Sequence, residues 1–278
     1  MTDEFMIANR TIVYEESGEG PLVLLAHGIG DSRHSYRFIA PALTAAGYRV
    51  VNIDLRGCGD SSLGWGSYSR SAIASDLVSL VRHLGGPAVI IGHSISGGAA
   101  TISAATAPDV IAGLIELAPF TRVQSLPLRA LAQARRYRRG TIYLVKTIAM
   151  GSLTSWRRYL ELAYPTKPHD WEYELARIEA KLSEPGRMRV LRAMGRSNPS
   201  DAGEQLARVR CPVLVIEGSA DPDWSDPGVE GKRIIDALPD GIGELVVLEG
   251  RGHYLHAEAP DQVLQLALPF LARVLSRA

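Results

Sequence analysis

Short apolar runs alternate along most of the chain with longer stretches whose apolar residues recur every three or four positions. The runs at 11–14, 22–26, 48–53, 88–91, 110–117, 213–216 and 245–248 are bounded by turn residues and read as strands. Several are apolar without a break, the pattern of a strand buried on both faces. Between two of them, Ile73, Leu77, Leu80, Val81 and Leu84 make one apolar helical face, and Gly85-Gly86 stops that helix. Pro260, with Asp261 beside it, opens a last helix carrying Val263, Leu264, Leu266, Leu268, Leu271 and Leu275. Such alternation predicts an α/β fold: a mainly parallel, doubly wound sheet covered on both faces.

The alternation lapses over 119–207. This stretch is helical and charged, with interruptions at Pro127, Gly140, Gly151, Pro165, Pro168, Pro185 and Pro199, and the strand pattern resumes at Cys211-Pro212-Val213. The expected organisation is a sheet core built from 1–118 and 208–278, with 119–207 inserted as a helical cap over the carboxyl edge of the sheet, where open parallel sheets bind ligands.

Composition narrows the class. With 278 residues, 46% hydrophobic and 22% charged, the chain can bury a sizeable core. Thirty basic and thirty acidic residues cancel, and no basic tail or zinc-spaced Cys/His cluster appears, so neither nucleic acid nor a metal is expected. Cys58 and Cys211 are too few for a disulfide framework. The opening residues carry acids rather than a basic, apolar leader, and no apolar run reaches membrane-spanning length, so the expectation is a cytoplasmic protein without membrane insertion. Neutrality hides a polarised molecule: 119–207 holds sixteen basic and eight acidic side chains, and 117–160 contains no acid at all. One reading is a solvated helical face whose arginines pair with the acidic core. The other is a basic cap that steers an anionic substrate or carrier, such as a carboxylate, a coenzyme A ester or an acyl-carrier protein.

Candidate chemistry lies beyond the strand ends. Gly92-His93-Ser94-Ile95-Ser96-Gly97-Gly98 follows an apolar run and leads into a small-residue helix, so Ser94 sits on a tight strand-to-helix turn that projects its hydroxyl. The helix start adds free N–H groups and the positive end of a dipole. A serine nucleophile needs a base, and that base needs a carboxylate to orient it. His253 follows the run at 245–248, and Asp221 follows the run at 213–216. His256 competes as the base; Asp223 and Glu116 compete as the acid.

With these positions assigned, the chain resembles the α/β-hydrolase superfamily over nearly its whole length. Ser94 matches the nucleophile elbow, Asp221 the acid after the seventh family strand, and His253 the base after the last strand. The segment Leu24-Leu25-Ala26-His27-Gly28-Ile29-Gly30 resembles the family's oxyanion loop, and Asp54-Leu55-Arg56-Gly57-Cys58-Gly59-Asp60-Ser61 its Asp-x-Arg-Gly-x-Gly-x-Ser turn. Ser96 departs from the glycine of Gly-x-Ser-x-Gly, with another small residue in its place. The resemblance implies a cofactor-free serine hydrolase that cleaves esters, thioesters or lactones of a small-molecule acyl substrate. It also implies an oxyanion hole from the backbone N–H groups of Ile29 and Ile95. His27, Gly28 and His93 flank this site as candidate substrate-binding residues, with internal hydrogen bonding as the alternative role of the two histidines. Asp54, Arg56 and Asp60 read as a salt-bridged turn. Epoxide- and haloalkane-hydrolysing branches carry aspartate where Ser94 stands. Carbon–carbon hydrolases, lyases, perhydrolases, cofactor-free oxygenases and some small-molecule receptors share much of this constellation.

Overall fold

The computed structural model describes residues 2–124 and 128–276. Pro127, read above as an interruption, lies outside them. Eight strands form one sheet: β1 (Thr2–Ile7), β2 (Arg10–Ser17), β3 (Leu22–Ala26), β4 (Arg49–Ile53), β5 (Ala88–His93), β6 (Ile111–Leu117), β7 (Val213–Gly218) and β8 (Gly243–Leu248). Their order is β1-β2-β4-β3-β5-β6-β7-β8, antiparallel through β1, β2 and β4 and parallel from β4 to β8. The helices are α1 (Ile39–Ala45), α2 (Arg70–His83), α3 (Ile95–Thr106), α4 (Leu128–Gln133), α5 (Arg135–Met150), α6 (Leu153–Ala163), α7 (Trp171–Ser183), α8 (Arg187–Arg196), α9 (Ser200–Gly203), α10 (Pro227–Ala237), α11 (Leu255–Glu258) and α12 (Pro260–Leu275).

The uninterrupted apolar strands have the expected cause. In β3, Leu22 and Leu24 pack with α2 and α3 residues such as Leu77 and Ala99, while Val23 and Leu25 pack on the other face with Ile39 of α1 and Leu271 of α12. Side chains alternate across a strand, so a sheet covered on both sides needs apolar residues at every position. The sequence reading missed β1. That strand lies at the edge, exposes Thr2, Glu4 and Met6, and pairs Phe5 with Ile12, so it needs few apolar residues.

Between β6 and β7 run α4 to α9. Trp156, Tyr159 and Leu160 of α6, Leu175 and Ile178 of α7 and Leu191 of α8 form a third cluster, which includes Tyr254 and Ala257 beyond β8. Ion pairs fasten the segment between β6 and β7 to the core: Arg177 to Asp31, Lys181 to Asp60, Arg122 to Glu230 and, in reverse, Arg37 to Asp170. Arg157 pairs within the insertion, with Glu161 and Glu179.

Candidate active site

The strand order sets where the site forms. From β3 the chain crosses to β4 on one side and then returns to β5 on the other, which opens a crevice at the carboxyl ends of β3 and β5. Ala26 pairs with Gly92, so the loop at His27-Gly28-Ile29 and the turn at Ser94 emerge side by side.

Ser94 has φ 54° and ψ −114°, a conformation that costs a non-glycine residue of the order of 1–3 kcal/mol. Surrounding bonds impose it. The Ser94 N–H donates to Leu117 O at 2.9 Å, and its carbonyl accepts from the N–H groups of Gly97 (3.0 Å) and Phe120 (3.1 Å). At Gly92 a Cβ would lie 2.5 Å from Ser96 O, so only glycine lets the helix turn back this closely. Ser96 does more than fit: its hydroxyl donates to His27 O at 2.6 Å and ties the turn to the β3 loop, a bond the sequence did not signal.

His253 stands one loop beyond β8 and Asp221 one loop beyond β7. His253 Nδ1 lies 2.6 Å from Asp221 Oδ2 and 3.6 Å from Asp223 Oδ2, which makes Asp221 the nearer acid. The Asp223 N–H donates to Asp221 Oδ1 at 2.8 Å, and Tyr159 of α6 donates to Asp223 Oδ2 at 2.9 Å. Burial works against charge on His253, yet Asp221 and Asp223 outweigh it and lift the imidazole to about 9. Burial likewise lifts Asp223, to about 7, against the pull of His253. These three residues form a cluster of the kind that can hold a metal, their donor atoms within 4.8 Å of one another, and hydrogen bonds engage His253 Nδ1, both Asp221 oxygens and Asp223 Oδ2.

The remaining histidines separate by their bonds. His27 is fully buried; its Nδ1 donates to Gly28 O at 2.7 Å and its Nε2 accepts the Leu55 N–H at 3.1 Å. Both ring nitrogens are occupied, so His27 holds two loops together and has none left for a substrate. His93 donates from Nε2 to the His253 carbonyl at 3.0 Å, the internal hydrogen bonding the sequence offered as its alternative role but with a partner it did not reveal, and burial holds it neutral. Gly28 runs against it: a Cβ there would meet His93 Nδ1 at 2.6 Å and Ser94 Cβ at 3.4 Å. His256 bonds Ser35 at 2.6 Å, and burial with Arg37 nearby lowers it to about 3. Glu116 bonds Thr101 at 2.6 Å instead of a histidine. Arg56 forms a bidentate pair with Asp76, and Asp54 and Asp60 both bond Arg33, a structural turn.

A cavity of about 500 Å³ gathers Ser94 and His253 with Ile29 and Ile95. That size suits a small organic ligand. Leu144, Val145 and Ile148 of α5 and Trp156 of α6 supply an apolar wall. The N–H of Ile95 is the first of α3, where a helix offers no acceptor of its own. Among the described residues no helix is long and apolar enough to cross a membrane.

Comparison with known proteins shows the family. A family model described as the alpha/beta hydrolase family matches residues 23–266. The chain is 40% identical over 87 residues to bifunctional epoxide hydrolase 2 of Rattus norvegicus, a match that spans 30% of this chain and 16% of that protein. It is 24% identical over 292 residues to epoxide hydrolase 1 of Siraitia grosvenorii, covering 92% of this chain and 93% of that one. Among solved structures it is similar to a thermophilic esterase from Thermogutta terrifontis, with a TM-score of 0.72 and 25% identity over 99% of both chains.

Proposed function

The chain belongs to the alpha/beta hydrolase family, and on that premise we propose that it is a serine hydrolase that cleaves a carboxylic ester, thioester or lactone through an acyl-enzyme on Ser94. The observation that carries this reading is Ser94, held in a strained turn, sharing one cavity with a histidine whose Nδ1 is fixed by Asp221 at 2.6 Å. Ser94 Oγ attacks the carbonyl carbon as His253 Nε2 takes its proton. The oxyanion accepts from the N–H groups of Ile29 and Ile95, each worth about 3 kcal/mol in the transition state. Collapse expels the leaving group, which takes the proton from His253, and water activated by the same imidazole releases the acid. Helices α5 and α6 serve as the cap that shapes the acyl side.

The likeness to epoxide hydrolases bears on fold and family. Opening an epoxide with the Ser94 hydroxyl would leave an ether, which has no carbonyl for water to attack, so turnover would stop after one cycle. An acyl group on Ser94 meets no such barrier. An activated short-chain ester is expected to be hydrolysed, and a fluorophosphonate to label the peptide holding Ser94 and stop turnover. Saturable ligand binding without hydrolysis, or a label on another residue, would overturn the reading.

The base works only when neutral. Because two carboxylates lift His253, kcat/KM should fall as pH drops through a midpoint above the ordinary histidine value of 6.5. Asp223→Asn removes one of the charges that favour imidazolium, so the midpoint should move to lower pH and the variant should gain activity relative to wild type in mildly acidic buffer. A pH profile of kcat/KM checks this; an unmoved midpoint would remove Asp223 from the electrostatics of the base.

A further inference from the structure

We propose that Arg70 is an anion-binding residue of the cavity and that it selects acyl substrates carrying a carboxylate remote from the bond that is cleaved. This deepens, and rests on, the serine-hydrolase reading of the same cavity. Among the described residues, two arginines are buried below one-tenth exposure, Arg56 at 8% and Arg70 at 5%. Arg56 is neutralised by Asp76 through two bonds of 2.6 and 2.7 Å. Arg70 meets only neutral acceptors: its Nε donates to Phe120 O at 2.9 Å and its Nη1 to Ser197 Oγ at 3.0 Å. Among the described residues no carboxylate forms an ion pair with it. Asp201 attracts it from further away, and Asp201 Oδ2 is held by the N–H (3.3 Å) and the hydroxyl (2.9 Å) of Ser71.

A guanidinium withdrawn from water without a counter-charge is unfavourable unless something else supplies one. Burial lowers Arg70 to about 10, which leaves it charged at neutral pH. Arg70 lines the same cavity as Ser94, beside Ser197 and Asn198, while much of the remaining lining is apolar. Its position relative to the serine is fixed. Phe120 donates its N–H to Ser94 O and accepts Arg70 Nε on its own carbonyl, so one residue bridges the two. Arg70 also packs on α3 at Gly98, where a Cβ would meet its Cδ at 2.9 Å, one helical turn (about 6 Å of rise) from Ser94. A short acyl chain ending in a carboxylate would fill the apolar space and place a charge-assisted bond on the guanidinium. Within the acid-free stretch 117–160, Arg122 and Arg157 are paired with acids, whereas Arg70, outside that stretch, is buried with no acid in contact.

Matched aryl esters test the proposal, neutral ones against half-esters of succinate, glutarate and adipate. The wild-type protein is expected to favour the half-esters by about tenfold or more in kcat/KM. Arg70→Met should bring that ratio to unity or below, and Arg70→Lys should restore part of it. Glutarate should also raise the Tm of Ser94→Ala, an effect lost in Ser94→Ala/Arg70→Met. No wild-type preference, or the same preference in Arg70→Met, overturns the proposal; should Arg70→Met fail to fold, the Lys variant and the wild-type ratio decide. If no ester is hydrolysed but glutarate stabilises through Arg70, the hydrolase reading fails and the anion site stands.

Discussion

Ser94→Gly is expected to lose ester turnover by about 10⁶-fold while gaining about 1 kcal/mol of stability. Both effects come from one geometry. With φ at 54° and ψ at −114°, Ser94 occupies a region that crowds any Cβ, and the bonds from Leu117, Gly97 and Phe120 keep it there. Glycine enters that region without the penalty, offset in part by its larger loss of chain freedom on folding. The hydroxyl that would form the acyl-enzyme goes with the side chain. Steady-state kinetics and urea unfolding of the same variant separate the two effects. Substantial turnover in Ser94→Gly would remove the nucleophile from the mechanism, and stability equal to or below wild type would mean that the turn carries no strain.

Asp221→Asn is expected to lower kcat by about 10⁴-fold. An amide in place of the carboxylate can present a donor to Nδ1, which favours the wrong tautomer of His253 and no longer stabilises the imidazolium. The second carboxylate modifies that outcome. Asp223 lies 3.6 Å from the same nitrogen, so Asp221→Asn/Asp223→Asn should fall further, by roughly tenfold. Kinetics on an activated ester read the difference. Near-wild-type rates in Asp221→Asn would exclude Asp221 as the acid, and equal losses in the single and double variants would show that Asp223 gives no support.

The sheet and the central residues were legible because their signals are local. Apolar runs identify β2 to β8, and Ser94, Asp221 and His253 each follow a strand within a few residues, beside glycines that permit a tight loop. What escaped the sequence depends on partners far along the chain. Tyr159 reaches Asp223 across 64 positions, Ser96 reaches His27 across 69, and His93 reaches His253 across 160. Asp223 had been considered only as a rival to Asp221; the structure keeps both carboxylates beside one imidazole. The charge tally made the basic insertion conspicuous, but a tally cannot separate arginines that meet acids from one that meets only a carbonyl and a hydroxyl.

The sequence by itself determined the alternation of strands and helices and singled out Ser94, Asp221 and His253 as candidates beyond strand ends. In a parallel sheet every strand ends on the same edge, so residues just past those ends converge whatever their separation along the chain. Tertiary structure alone decided which carboxylate lies nearest His253, that His27 is fully engaged with backbone, and that Arg70 is buried with no carboxylate in contact. Hydrogen bonding and charge burial act over a few ångströms, and at that scale it is the path of the loops beyond β3, β4, β6, β7 and β8 that sets the distances.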